Sequence, residues 1–398
     1  MSKMSEDFTS FFALERKQFL LTGLYPLHGP TPILYSLKRA LVFFFSILLP
    51  VSMIIKLLIG VDSLEEFADI LYYLVTQAAY LCKLTNFVYG PGKLLQIEEH
   101  LQHPISQKFY QKFGRDDLHK IIKQCDAVAV IFRFLIVGIV GLYAIFPYLD
   151  DNKDLPFAGW IPVDINVLGY RCLVYFLQLM CVFVSAFTNG NMDLFTIYLL
   201  SIGIGKLKLI KECFRHVDYT LQTTESIKKA NKNSTDTTNK VLSPKDLAEL
   251  YRFHEYIIKY LLMVEELFSY GIFIQFLASI AVVCMTGFQL MITPPQSGQF
   301  VLLILYINCM MCQVIMYCWY GNEILFESDG LGESCYMSNW YEGSVSDKKF
   351  IFIMMERSKR QLRMTAGKFF TLSLPTLVMI LKSSYSYFAV LQRLYTDI

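Results

Sequence analysis

At 398 residues, with 54% hydrophobic side chains, mean hydropathy +0.41 and a formal charge of +2, the chain is too apolar for a soluble globular protein of its size. Composition therefore places it among all-α, polytopic membrane proteins, and no nucleic acid is expected as a partner. The net charge says little; its distribution along the chain says more.

Residues 1–39 carry Glu6, Asp7, Glu15, Arg16 and Lys17 and no apolar run of the kind a secretory leader needs, so this segment is expected to stay in the cytosol. Apolar windows long enough to cross a bilayer follow at 40–59, 67–89, 127–146, 172–200, 260–291, 299–320 and 369–391. Of the 36 Lys and Arg residues, 29 fall in the amino-terminal segment and in the connections 90–125, 201–259 and 321–368. Only 3 fall in 60–66, 147–171, 292–298 and 392–398. Cytoplasmic loops carry the basic excess, so seven spans with a cytosolic amino terminus and an external carboxyl terminus are expected. A G-protein-coupled receptor has the opposite orientation; Asp-Arg-Tyr and Asn-Pro-x-x-Tyr motifs are also missing from spans three and seven.

The connection 147–171 is rich in Pro and Asp and carries Tyr148, Trp160 and Tyr170, which suggests a lid at the outer interface. On the basic side, Leu94, Leu95, Ile97, Leu101, Ile105, Phe109 and Phe113 recur at helical spacing, so the connections are expected to extend the spans as cytosolic helices. The stretch 222–242 is polar, lacks aromatics and reads as disordered. Order resumes at Ser243-Pro244-Lys245-Asp246, which offers an N-cap, a proline at N1 and an acid at N3, and one helix is expected from there to about Met291. Such projecting helices could bundle with those of other subunits as an oligomerisation domain.

Nothing in the chain makes a convincing catalytic set, so it is not expected to be an enzyme. The six histidines lie outside the spans without triad or metal-ligand company, Gly203 and Gly205 lack a phosphate-loop context, and the ten cysteines are not spaced as a disulfide framework. No metal and no cofactor is expected. Asn233-Ser234-Thr235 is a glycosylation sequon, and it lies in a connection expected to be cytosolic.

Inside the spans, Arg133, Asp193, Glu265 and Glu266 fall at similar depth, where they could pair with one another or serve an ion pathway. Lys56 is near enough to a span end to snorkel. Residues with aromatic, methionine or small side chains recur in the outer parts of four spans: Tyr72, Tyr73, Thr76 and, nearer the middle, Tyr80; Gly138, Gly141 and Ile145; Phe176, Met180 and Phe183; Tyr306 and Met310. They can pack the helices or line a cavity for a small, mostly apolar ligand held by one or two hydroxyls. The last run is unusually polar for a span, with Thr371, Ser373, Thr376, Ser383, Ser384, Ser386 and Lys382. Its hydroxyls can bond back to the helix, or the helix can line a pore.

The carboxyl-terminal order, with Trp340-Tyr341, Arg357-Ser358, Thr365-Ala366-Gly367-Lys368-Phe369 and Lys382 through Phe388, closely resembles the end of insect odorant receptors. That resemblance implies a ligand-gated, non-selective cation channel, heterotetrameric with the odorant receptor co-receptor, in the plasma membrane of sensory neurons. It implies a small volatile organic ligand in the outer half of the membrane, permeant cations and lipid as further partners, and a pore lined by the last span. The family's hydrophobic gate corresponds to Val390 and Leu394; Gln392 stands one place before a polar position of the family pattern, which Arg393 occupies. The chain lacks the long insertion of the co-receptor, so the resemblance implies a tuning subunit. Its expected parts are a cytosolic segment 1–39, six spans with pocket and helical extensions over 40–320, a cytosolic anchor 321–368, and a pore helix with a short tail over 369–398. A G-protein-coupled or other seven-helix chemoreceptor, including a gustatory receptor, and a transporter are the competing readings.

Overall fold

The computed structural model describes residues 8–27, 29, 32–61, 64–114, 116–149, 155–163, 167–219 and 242–396. The polar stretch 222–242, all but its last residue, and the sequon at Asn233 lie outside these. A 3₁₀ turn, Phe8–Phe12, leads into α1 (Ala13–Thr22), followed by α2 (Ile33–Ile59), α3 (Leu64–Tyr89), α4 (Pro91–Leu101), α5 (Pro104–Phe113), α6 (Asp116–Leu149) and α7 (Leu168–Arg215). After the unassigned connection come α8 (Leu247–Ile292), α9 (Gly298–Tyr336), α10 (Val345–Ser358) and α11 (Leu374–Thr396).

Six of these helices, α2, α6, α7, α8, α9 and α11, are long and apolar enough to cross a membrane among the described residues. The seventh, α3, is 26 residues long but less apolar. Its polar Gln77 and Lys83 are buried inside the protein, so protein rather than lipid satisfies them.

Three helices continue well past bilayer thickness. At 1.5 Å per residue, about 20 residues span roughly 30 Å of hydrocarbon, whereas α7, α8 and α9 have 48, 46 and 39 residues. Their extensions pack with α4, α5 and α10 into a bundle at the basic end of the molecule. His100 of α4 stacks on Tyr256 of α8 at 4.0 Å, and Phe109 of α5 on Phe253 at 4.9 Å. The start of α8 follows its local signals: the Ser243 backbone N–H donates to Asp246 at 3.1 Å, and Ser243 Oγ accepts from the Lys245 N–H at 3.4 Å. The periodic stretch from Leu94 to Phe113 forms two helices, because Pro104 opens a new one after a break at Gln102-His103.

The carboxyl-terminal region departs from a simple apolar run. Helix α10 stops at Ser358, and Thr365–Ala366 pairs antiparallel with Phe370–Thr371, in the register Thr365 to Thr371 and Ala366 to Phe370. Gly367 and Lys368, with φ of 59° and 62°, reverse the chain in left-handed conformations, closed by the Phe369 N–H donating to the Ala366 carbonyl at 3.1 Å, so that Gly367, Lys368 and Phe369 form a three-residue loop. This miniature hairpin is bolted to α8: the Gly367 N–H donates to Ser269 Oγ at 2.8 Å, and Ser269 Oγ donates to the Thr365 carbonyl at 2.7 Å. The last membrane helix therefore starts at Leu374 instead of 369, since Phe370 and Thr371 are taken up by the hairpin.

Buried charge is neutralised locally. Asp193 of α7 accepts from Lys83 Nζ at 2.7 Å and from the Tyr317 hydroxyl at 2.5 Å, and also from the Gln313 amide. Arg133 pairs with Glu15 of α1, Glu265 accepts from the Thr365 hydroxyl, and Glu266 pairs with Lys93 at 2.9 Å. The four charges thus have separate partners and form no common cluster. Lys56 lies 3.4 Å from Glu66.

Candidate functional site

Helices α3, α6, α7 and α9 leave a cavity between them, away from the basic end of the bundle and partly open to the outside. Tyr73, Thr76, Gln77 and Tyr80 enter from α3, and Ile136, Ile139 and Tyr143 from α6. Val182, Ser185 and Asn189 come from α7, and Tyr306, Met310 and Gln313 from α9. The wall is mostly rings and aliphatic chains, with a few hydroxyls and amides.

Most of these polar groups are already engaged. Thr76 Oγ1 and the Tyr306 hydroxyl are 2.6 Å apart, and the hydroxyls of Tyr72 and Tyr143 are 3.1 Å apart. Gln77 donates to Ser185 Oγ at 2.7 Å and to the Ser46 carbonyl at 3.1 Å. The Tyr80 hydroxyl lies 2.5 Å from Thr188 Oγ1. Two buried atoms of the lining, the Tyr73 hydroxyl and Asn189 Oδ1, have no hydrogen-bond partner among the described residues. An unpartnered buried polar group costs roughly 1–3 kcal/mol, so a ligand that supplies the missing bond gains by it.

The connection between α6 and α7 covers one end. Phe157 packs on Tyr143 and Tyr73 with ring centroids 4.4 and 4.9 Å apart. Gln178 holds it there, accepting from the Phe157 N–H at 3.2 Å and donating to its carbonyl at 3.1 Å. The Trp160 N–H donates to the Ser52 carbonyl at 3.0 Å, which ties the same segment to α2. Among the described residues of 147–171, Phe157 is the one packed against rings of the cavity wall.

Of the residues singled out in sequence, Tyr73, Thr76, Tyr80, Tyr306 and Met310 line the cavity. Tyr72 lies just behind it, its ring edge-on to Tyr306 at 5.1 Å. The other six do not line it. Ile145, Phe176 and Phe183 are 45–60% exposed on the outside of the bundle, Met180 is half-buried, and Gly138 and Gly141 are on a flank of α6. The reason is helix phase: the inward positions of α6 are 132, 136, 139 and 143, and those of α7 are 178, 182, 185 and 189. In a helix apolar on most sides, composition does not show which stripe faces in. Gln77, Ser185, Asn189 and Gln313 were the missed signal, as amides and hydroxyls at helical spacing inside apolar runs.

On α11, Val390 is 56% exposed, with Tyr387 one turn before it, on a side that no described residue covers. Leu394 lies in the same helix, but its side chain is outside the described residues. The opposite face is buried against α8 and α9 through Thr376, Ile380 and Ser384. Ser384 donates to the Ile380 carbonyl and Ser386 to that of Lys382, each at 2.9 Å, so part of the polarity of this helix is spent on its own backbone.

At the basic end, burial lowers the pKa of His100 and of His254 to about 4, so both rings are neutral at physiological pH.

A long-helix membrane protein with a ring-lined cavity between its spans and a helical bundle at the other end is of the seven-helix receptor class. A model of the 7tm odorant receptor family matches residues 63–385, and the chain belongs to that family, the insect odorant receptors. Odorant receptor Or1 of Anopheles gambiae is 24% identical over 351 residues, which is 85% of this chain and 83% of that receptor. Odorant receptor 94a of Drosophila melanogaster is 22% identical, over 83% of this chain and 81% of the relative. The structure of olfactory receptor OR5 from Machilis hrabei in complex with eugenol superimposes with a TM-score of 0.79 at 15% identity, over 98% of this chain and all of that one. The likeness establishes the seven-helix fold of a multi-pass membrane protein.

Proposed function

We propose that the chain is the odorant-tuning subunit of an odorant-gated, non-selective cation channel that it forms with co-receptor subunits in the plasma membrane of sensory neurons. The single observation that carries the proposal is the cavity between α3, α6, α7 and α9, whose floor residue Gln313 is also part of the polar cluster around Asp193. Under the inverted orientation the cavity opens in the outer half of the membrane. The ligand is small and mostly apolar, with a hydrogen-bonding group for the Tyr73 hydroxyl or Asn189, a class to which the eugenol held by the Machilis receptor belongs.

Gating follows from helix connectivity. Gln275 of α8 donates to Gln313 at 3.2 Å, and Phe388 of α11 lies about 3.5 Å from where a side chain on Gly287 of α8 would begin. A ligand that displaces Gln313 therefore acts on α8, and α8 carries α11. Binding shifts the open–closed equilibrium only by the difference in affinity between the two states. The uncovered face of α11 is the pore wall, with Val390 and Leu394 at the gate. Helices α4, α5 and α10, together with the extensions of α7, α8 and α9, make the subunit contacts.

Voltage-clamp recording from cells expressing this chain with and without a co-receptor, across a panel of volatiles, tests the reading. Ligand-dependent cation current that requires both chains is the expected result. Responses carried through a second messenger instead would favour a G-protein-coupled chemoreceptor.

A further inference from the structure

We infer that the groove between the start of α8's apolar run and the segment joining α10 to the hairpin binds the headgroup of an anionic phospholipid. Its walls are Ile258, Leu261, Leu262 and Glu265 on one side and residues 357–364 on the other, around about 800 Å³ of open space. Three guanidinium groups, those of Arg357, Arg360 and Arg363, line it.

The acids nearby are already engaged. Glu265 accepts from the Thr365 hydroxyl, Glu356 pairs with Lys359 at 2.6 Å, and Asp329 accepts from Gln361 at 2.9 Å. Among the described residues Arg357 and Arg360 form no ion pair, and Arg363 donates only to the neutral Gln361 amide at 3.2 Å. The groove thus presents an excess of unneutralised cations whose planar donors match phosphate oxygens.

Position selects a lipid over a free anion. Leu262 is 57% exposed beside the arginines, and Phe369, on the hairpin at the other end of the segment, is 80% exposed. The groove sits where α8 passes from its projecting part into its apolar run, which in the proposed orientation places the guanidinium groups near the membrane surface. An amphiphile with an anionic head and an acyl chain satisfies both walls, whereas inorganic phosphate satisfies only one.

The test is native mass spectrometry of the full chain in detergent, titrated with phosphatidylserine, phosphatidylinositol 4-phosphate or phosphatidylcholine, with inorganic phosphate as competitor. The expected result is preferential retention of the anionic lipids, weakened about five-fold for each arginine replaced in Arg360→Gln and in Arg360→Gln/Arg363→Gln, and largely restored by Arg360→Lys. Unchanged melting of these variants confirms that the fold is kept. Equal retention of anionic lipid by wild type and double variant overturns the inference. So does displacement by inorganic phosphate at equal concentration, or a loss of subunit cross-linking with lipid retention unchanged, which would assign the groove to a second copy.

Discussion

Lys83 of α3 and Asp193 of α7 form an ion pair of 2.7 Å in which the carboxylate is completely buried and the lysine side chain only 7% exposed. The two residues are 110 positions apart, and the pair joins helices that also frame the cavity. Breaking a buried pair on one side strands the other charge, at about 3–5 kcal/mol. Lys83→Met is therefore expected to abolish surface expression or lower the melting temperature sharply, while Lys83→Met/Asp193→Asn recovers most of it. Equal behaviour of single and double variants in a thermal-shift assay would show that the pair is not the stabilising unit.

Tyr73 and Phe176 lie on neighbouring helices but on different surfaces, one in the cavity wall and one 60% exposed. Tyr73→Phe is expected to reduce sensitivity to alcohols and phenols about ten-fold and leave hydrocarbons of the same shape unaffected, since one hydrogen bond contributes roughly 0.5–1.5 kcal/mol. Phe176→Ala is expected to leave the dose–response curve in place. Concentration–response recordings on both variants check the pair of outcomes.

Gln313 touches both the cavity and Gln275. Gln313→Met keeps its length and removes both hydrogen bonds. Its expected effect is a lower maximal current at saturating ligand. Val390→Trp is expected to change conductance or gating while the rank order of ligands stays the same. Single-channel recording separates the two, and a change of ligand rank order in Val390→Trp would remove that residue from the gate.

His254 is 4% exposed, and burial, assisted by the nearby Arg357, depresses its pKa to about 4. Below the unfolded value the unfolded chain binds the proton more readily, so stability is complete above about pH 6.5 and falls as pH drops toward 4, by about 3 kcal/mol. His100 acts in the same direction. Melting temperatures measured from pH 7.5 to 5 are expected to fall less steeply in His254→Gln than in wild type.

Gly367 has a φ of 59°, and a side chain there would begin 2.7 Å from the Phe273 ring. Gly367→Val is expected to loosen the hairpin from α8 and so reduce current and stability together, whereas Gly367→Ala does so more mildly. Limited proteolysis between Arg360 and Lys368 reads the effect directly.

The sequence by itself determined the membrane class, where the long apolar helices fall along the chain, and the start of α8. These depend on local quantities: run length, hydropathy, and a capping box within four residues of chain. Its carboxyl-terminal motifs also carried the family, since a hairpin of the Thr-Ala-Gly-Lys type is spelled in consecutive residues. Only the tertiary structure decided which stripe of each span turns inward, because a helix bathed partly in lipid is apolar on both its faces. Ile145, Phe176 and Phe183 are as hydrophobic as the residues that line the cavity, yet they point outward. It also decided the partners of the buried charges, since Asp193 meets Lys83 and Gln313 through packing across more than a hundred residues. Arg133 likewise meets Glu15 only because α1 folds back against the bundle.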